Sequence, residues 1–160
     1  MDLEIEMQGM KIGMTITGYS GVDDEDGMSP WCKVSYSFVF NDVIRYEVEK
    51  DEILDSVEVK IIKETLDDLL EDKQTEIKNM EFTEPDWEFT FHPKINVIES
   101  GKYVYVAPGH EIEDIRLIWK INLWNEGLTV NSFSTELWRA EIIKLRDYLD
   151  SVIKSDLSEK

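Results

Sequence analysis

The sequence predicts an α+β protein in which a mainly antiparallel sheet is packed by two helices. Apolar and polar residues alternate through several short segments, which is typical of half-buried strands, and two longer segments repeat apolar residues with the helical period. A strand hairpin followed by a helix occurs twice, 83 residues apart. We therefore expect two similar hairpin-plus-helix units that share one core.

Strands are expected before the first helix. Alternation runs through residues 2–7 and 10–17, and a long loop of glycine, serine and acidic residues follows over 18–30. It resumes over 32–40, where Asn41 and Asp42 turn the chain into a return strand around residues 46–48. This part of the chain thus predicts two strands, a loop and a hairpin.

The first helix is predicted from Asp55, because the apolar period changes there from two to about 3.6 residues. Asp55 and Glu58 have the spacing of a capping box, with Asp in place of the usual Ser or Thr. The apolar stripe of this helix consists of Val59, Ile62, Leu66, Leu69 and Leu70.

The second half predicts strands around residues 77–82, 87–91 and 103–106, with a long turn over 94–115. A hairpin then turns at residues 125–127, and a second helix opens near Ser134. Its apolar stripe consists of Ile142, Leu145, Leu149, Val152 and Ile153.

The two halves are predicted to repeat each other. Adding 83 to each number in the first helical stripe gives the second stripe, and the same offset carries the alternating residues of 34–40 onto 117–123. The return strand needs an offset of 82, which aligns Tyr46 and Val48 with Leu128 and Val130. The repeat units are therefore about 32–70 and 115–153. No linker-like tract divides the chain, so we expect one domain over residues 1–154 and a flexible tail over 155–160.

Charge limits the classes of partner. The 35 acidic and 17 basic residues give a net charge of −18, and residues 41–90 alone carry 17 acids against six bases. Direct nucleic-acid binding and adsorption to anionic lipid are disfavoured, since both need Lys and Arg. No secretory signal or membrane span is visible, and the single cysteine allows no internal disulfide. We expect a cytoplasmic protein with a cationic protein partner; its oligomeric state stays undetermined.

Evidence for catalysis is thin, and we expect no enzyme activity, cofactor or metal site. His92 precedes a proline at a strand end and is interpreted as a turn residue. His110 lies near three acids and could take part in acid–base chemistry or small-molecule binding. Those acids are Glu111, Glu113 and Asp114.

An acidic loop resembles part of a calcium-binding loop. It consists of Asp23, Asp24, Glu25 and Asp26, followed by Gly27. An EF-hand would need an oxygen ligand at Val22 and a glutamate at Lys33, and both are missing. We interpret it as a solvated loop, with weak Ca²⁺ adsorption left open.

Two tryptophans are predicted to face solvent. The alternation that buries Tyr36 places Trp31 on the opposite face, and the alternation that buries Trp119 does the same for Trp124. Tryptophan is enriched at interface hot spots, so both are candidate partner-binding residues. Trp87 and Trp138 are in phase with the core and are expected to be structural.

The first helix is predicted to end in acidic residues, which oppose the helix dipole. These candidate partner-binding residues are Glu64, Asp67, Asp68, Glu71 and Asp72. The second helix mixes basic residues with its acids, so one repeat is acidic and the other balanced. This asymmetry favours a role in steering a basic partner.

Several short motifs resemble the WapI family of bacterial immunity proteins. They are the Gly18-Tyr19 pair after a strand, Trp31 before a strand, and residues 80–89 (MEFTEPDWEF), and the order of elements corresponds over residues 10–153. The resemblance implies a small cytoplasmic protein without catalytic residues that neutralises the toxic C-terminal domain of a secreted polymorphic toxin. Some targets would be nucleases, which are commonly basic. Residues 94–115 and the high acidity do not match the family pattern.

The sequence thus predicts an acidic binding protein with a cationic partner, and the resemblance to the WapI family implies that this partner is a toxin domain. One alternative is a small-molecule-binding domain or enzyme that uses the His110 loop. Another is a nucleic-acid mimic that binds a basic host protein.

Overall fold

The computed structural model describes residues 2–101 and 105–158, which form an α+β architecture of two helices and ten strands, as the sequence predicts. Sheet 1 is antiparallel with its strands in chain order. They are β1 (Leu3–Met7), β2 (Met10–Thr17), β3 (Lys33–Phe40) and β4 (Ile44–Asp51). Helix α1 (Ser56–Leu70) follows directly.

Sheet 2 is also antiparallel, and a second helix follows it. The remaining elements are β5 (Lys78–Glu81), β6 (Trp87–His92), β7 (Ile95–Asn96), β8 (Ile112–Glu113), β9 (Arg116–Trp124), β10 (Leu128–Leu137) and α2 (Arg139–Ser158). Strands β5, β6, β9 and β10 lie side by side in that order, while β7 and β8 form a separate short pair. Each helix therefore follows a four-stranded antiparallel sheet.

The two predicted hairpin-plus-helix units are present in the same order. The offset of 83 carries Lys33, the first residue of β3, to Arg116 of β9, and it carries Ser56 of α1 to Arg139 of α2. The repeating unit is larger than predicted, because each sheet begins with two further strands, β1–β2 in one and β5–β6 in the other.

One core joins both sheets and both helices. Aromatic rings from β3 meet those of sheet 2, with centroid distances of 5.0 Å for Tyr36–Trp87 and 5.2 Å for Phe38–Trp119. Both pairs have the edge-to-face geometry that aromatic rings prefer. The hydroxyl of Tyr148 on α2 accepts a hydrogen bond from the Ile16 amide at 2.8 Å, which joins that helix to sheet 1.

The predicted capping box of α1 is confirmed. The Asp55 carboxylate accepts from the Glu58 amide at 2.8 Å, and the Glu58 carboxylate accepts from the Asp55 amide at 3.0 Å. Both donors belong to the first turn, where a helix cannot satisfy its own amides.

The predicted start of the second helix near Ser134 is wrong. Ser134 lies in β10 opposite Lys120, and α2 begins at Arg139. Trp138 was expected in the core and is instead 49% exposed. Trp138 follows Leu137, the last residue of β10, and precedes Arg139, the first residue of α2. Neither the alternation of the strand nor the period of the helix therefore places its side chain in the core.

The return strand of the second hairpin also departs from the predicted match with the first. The register of β10 against β9 shifts between Leu128 and Ser132. Val130, which the repeat aligns with the half-buried Val48, lies within this irregularity and is fully exposed. Between these positions β10 has two more residues than the facing part of β9, so Phe133 and Thr135, and not Val130, lie opposite the buried Ile121 and Trp119.

Two further segments differ from the prediction. Of the strand predicted at residues 103–106, positions 103 and 104 lie outside the described residues, and positions 105 and 106 are irregular. Helix α2 continues through Ser158, so residues 155–158, which were predicted to belong to a flexible tail, are helical.

Candidate functional site

The two candidate tryptophans lie on different elements and are both partly exposed. Trp31 is 37% exposed and bridges to Asp55 at the start of α1, whereas Trp124 is 40% exposed and ends β9. The Trp124 amide donates to the Tyr46 hydroxyl, and Tyr46 is paired with Phe38 in sheet 1. Trp31 and Trp124 are thus held by different elements, the start of α1 and the end of β9.

Trp124 also has a structural partner. Its side chain hydrogen-bonds the carboxylate of Asp86, a group that is only 3% exposed and also lies 3.5 Å from the Tyr36 hydroxyl. Burial raises the pKa of Asp86 to about 6, and the nearby Asp51 and Glu84 raise it further, against the hydrogen bonds from Trp124 and Tyr36. This buried carboxyl group was not identified from the sequence.

The acids at the end of α1 are largely engaged with bases. Asp67 contacts Lys63 at 2.7 Å and Arg146 at 3.2 Å, and Asp150 of α2 lies 3.6 Å from Lys63. Asp72 lies 3.9 Å from Arg139. Ion pairs therefore join the two helices. The acids at the end of α1 and the bases of α2 thus have a structural role.

The other acids of this group are more exposed. Glu71 pairs with Lys73 at 2.6 Å, and Glu64 lies 3.9 Å from Lys60. Asp68 is exposed on the same helix. Trp31 lies at the opposite end of α1, about 20 Å from Asp68 at roughly 1.5 Å of rise per residue.

The acidic loop is exposed and organises its own turn. Asp24 Oδ1 accepts from the amides of Asp26 and Met28, both at 2.9 Å, while Asp23 and Glu25 are exposed. Among the described residues, no group of three or more His, Cys, Asp or Glu side chains is arranged to hold a metal ion.

The His110 loop does not assemble all of its predicted acids. Asp114 is held by Arg139 through two hydrogen bonds of 2.9 and 2.7 Å, which lower the pKa of that carboxyl group. The Glu111 carboxylate accepts from the Gly109 amide at 3.0 Å. Glu113, in β8, is half-buried beside His110 along a depression of about 370 Å³. Asp114 is thus committed to fixing the loop against the start of α2.

The outer face of sheet 1 presents acids on both edge strands. One row of directly opposed residues crosses all four strands, namely Glu4, Gly13, Ser37 and Glu47. Thr15 and Ser35 are paired beside this row, between Asp2 and Glu49, and the depression has a volume of about 290 Å³. Lys11 and Arg45 lie toward one end of the face, where Arg45 pairs with Glu47 at 2.6 Å.

Sequence reasoning missed this face as a site. Its signal was the alternation itself, because the residues between Leu3, Ile5 and Met7 are glutamates, as are those flanking Val48. The alternation does not give the strand register. That register places the acidic strands β1 and β4 on either side of the small side chains of β2 and β3. We call this surface the acidic face.

No family model matches this chain, and no match is found among curated proteins. Within the described residues, neither helix is long and apolar enough to cross a membrane.

Proposed function

We propose that this protein is a binding protein that neutralises a cationic toxin domain by direct contact, and that it acts in the cytoplasm as an immunity protein of a polymorphic toxin system. The observation that carries the proposal is the acidic face of sheet 1, in a chain of net charge −18. The resemblance of residues 10–153 to the WapI immunity family supplies the class of partner.

The acidic face suits a basic partner in shape as well as in charge. Gly13, Thr15, Ser35 and Ser37 form a low floor over which a lysine or arginine side chain can extend. Carboxylates on both edge strands then lie where the phosphates of a nucleic acid would lie on a nuclease. Charges of opposite sign raise association rates, up to about 10⁸–10⁹ M⁻¹s⁻¹ at low salt.

The decisive experiment uses the C-terminal domain of the protein encoded directly upstream. Co-expression should protect cells from that domain, and the purified proteins should bind with an association rate that falls as salt rises. Absence of binding by the wild type at every salt concentration would refute the immunity function.

Two pairs of variants then locate the surface. Glu4→Gln with Glu49→Gln removes two acids from the acidic face, and we expect the association rate at low salt to fall about 3- to 10-fold. Glu64→Gln with Asp68→Asn is the matched pair on the exposed side of α1, and it should change the rate by less than about twofold. If only the second pair slows association, the partner docks on α1 and not on the acidic face.

The enzyme alternative has a direct test at His110. Because Asp114 is held by Arg139, the loop offers little for acid–base chemistry beyond Glu111 and Glu113. His110→Ala should leave protection intact. Loss of protection with an unchanged unfolding midpoint would favour the alternative instead.

A further inference from the structure

A second surface, independent of the acidic face, lies between the two sheets. It is a groove of about 520 Å³, within the roughly 300–1,000 Å³ typical of ligand sites. Its walls are mainly apolar and include Met10, Phe38, Phe40, Ile44, Phe133 and Trp138. Ile44 is 63% exposed, and Phe40 and Trp138 are exposed as well. We call it the β10 groove, because residues 133–136 of β10 form one wall.

The strand that borders this groove is unlike the other outer strands of the two sheets. Strand β4 carries five charged residues in eight, whereas β10 carries one, Glu136, in ten. Residues 127–135 contain no charge at all. Charged side chains are a usual protection of edge strands against further pairing, and β10 largely lacks them.

Strand β10 also has room for a further strand. Among the described strands it pairs only with β9, so the backbone groups on its other side point toward the groove and solvent. An extended peptide can satisfy such groups by adding to the sheet, and its alternate side chains then enter adjacent pockets. The β10 groove offers both an unpaired strand edge and an adjacent apolar pocket, as this mode of recognition requires.

The position of Trp138 indicates that the groove has a use. Trp138 immediately precedes α2, and its amide donates to Glu141 Oε2 at 3.2 Å. The repeat aligns these residues with Asp55 and Glu58, whose side chains complete a capping box. An indole cannot accept a hydrogen bond, so the Trp138 side chain cannot accept from the Glu141 amide as the Asp55 carboxylate accepts from the Glu58 amide. Its ring instead forms an exposed wall of the groove.

We propose that the β10 groove binds an extended segment of the cationic partner, with apolar side chains inserted beside Phe40, Phe133 and Trp138 and main-chain hydrogen bonds to the outer edge of β10. This inference rests on the proposed function for the source of the segment. Glu126 and Glu136 bound the uncharged run at its two ends, so the segment has an apolar centre flanked by lysine or arginine. A second copy of the chain is disfavoured as occupant because both copies carry −18.

The probe is a random decapeptide library displayed on phage and selected against the full chain. The enriched peptides should have apolar residues at every second position, with lysine or arginine on either side of this apolar centre. Trp138→Ser should weaken their binding at least tenfold, and Trp31→Ser, at a comparably exposed ring elsewhere, should change it less than twofold. Serine is a good N-cap residue, so the urea midpoint of Trp138→Ser should equal or exceed that of the wild type.

Backbone methylation of the peptides tests strand addition directly. The amides of a strand alternate between its two edges, so N-methylation of alternate residues in one phase should abolish binding, and in the other phase it should be tolerated. The proposal is overturned if nothing is enriched, if Trp138→Ser binds equally well, if both phases are tolerated, or if the groove proves to be covered by a second copy in sedimentation experiments.

The toxin domain separates this inference from the proposed function. If it binds the wild type but dissociates from Trp138→Ser at the same rate, the binding function stands and the groove proposal fails. If the peptides bind in the groove while the toxin domain does not bind at all, the groove stands and the immunity function fails.

Discussion

Asp86 supplies a prediction whose size follows from the structure. The carboxyl group is 3% exposed, lies beside Tyr36 and Trp124, and has its pKa raised from 3.8 to about 6, chiefly by burial. One pKa unit corresponds to about 1.4 kcal/mol, so the charged form costs the folded state about 3 kcal/mol above pH 6. Replacing the carboxylate with a neutral isostere should recover part of this free energy.

The sign follows from proton uptake. Between pH 3.8 and about 6 the folded state binds the Asp86 proton more tightly than the unfolded state does, so this residue makes stability fall as pH rises through that range. Asp86→Asn cannot ionise and keeps an acceptor oxygen for its neighbours. At pH 7.5 we expect the variant to gain about 1–2 kcal/mol of unfolding free energy, which is less than 3 kcal/mol because the amide N–H groups of the new asparagine need hydrogen-bond partners. At pH 3.5 we expect no gain, because Asp86 of the wild type is then neutral as well.

The assay is urea unfolding followed by tryptophan fluorescence at pH 3.5, 5, 6 and 7.5. Asp23→Asn, at an exposed acid of the loop, serves as the matched control for the loss of one charge, and we expect its unfolding free energy to stay within about 0.5 kcal/mol of the wild type. A difference between Asp86→Asn and the wild type that is constant across pH would refute the reasoning. So would a variant that is less stable than the wild type at pH 7.5.

Three more predictions concern single residues. Cys32 is fully buried and burial raises the pKa of its thiol to about 11, so iodoacetamide should label the native protein only as fast as it opens, with full labelling in urea. Asp67→Asn should lower the unfolding free energy by about 1 kcal/mol, because Lys63 and Arg146 lose a partly buried ion-pair partner. The control Asp68→Asn, at an exposed residue of the same helix, should change the unfolding free energy by less than about 0.5 kcal/mol. Equal effects of the two substitutions would contradict the role of Asp67 in joining the helices. Asp55→Ala should cost about 0.5–2 kcal/mol through loss of the helix cap, measured by chemical denaturation, and an unchanged midpoint would argue against the cap.

Much of the fold was readable from local patterns. Period-two alternation identified the strands that have one buried face, such as β3 with Tyr36 and Phe38, because one strand face must leave water. The capping box located the start of α1 to the residue. The 83-residue offset predicted the order of the second unit, although the match of helical stripes alone did not reveal where its strand ended.

Errors arose where local periodicity stops. Two extra residues of β10 between Leu128 and Ser132 shift its pairing with β9, so that Phe133 and Thr135 become the inward positions, and local alternation does not reveal this shift. Trp138 lies between the last strand residue and the first helical one, so its assignment to the core depended on the wrong helix start. Short pairs such as β7–β8 contain too few residues for a period to be visible.

The sequence by itself determined composition, charge and the faces of single elements, because these depend on neighbours along the chain. It did not determine which charges remain available: Asp67 and Asp72 were counted as binding residues, and the packing of α1 on α2 brings them to Lys63, Arg146 and Arg139. Tertiary structure alone decided the acidic face and the β10 groove. Both are formed by strands that are distant in sequence, and their register and the approach of the two sheets are set by the burial of a shared core.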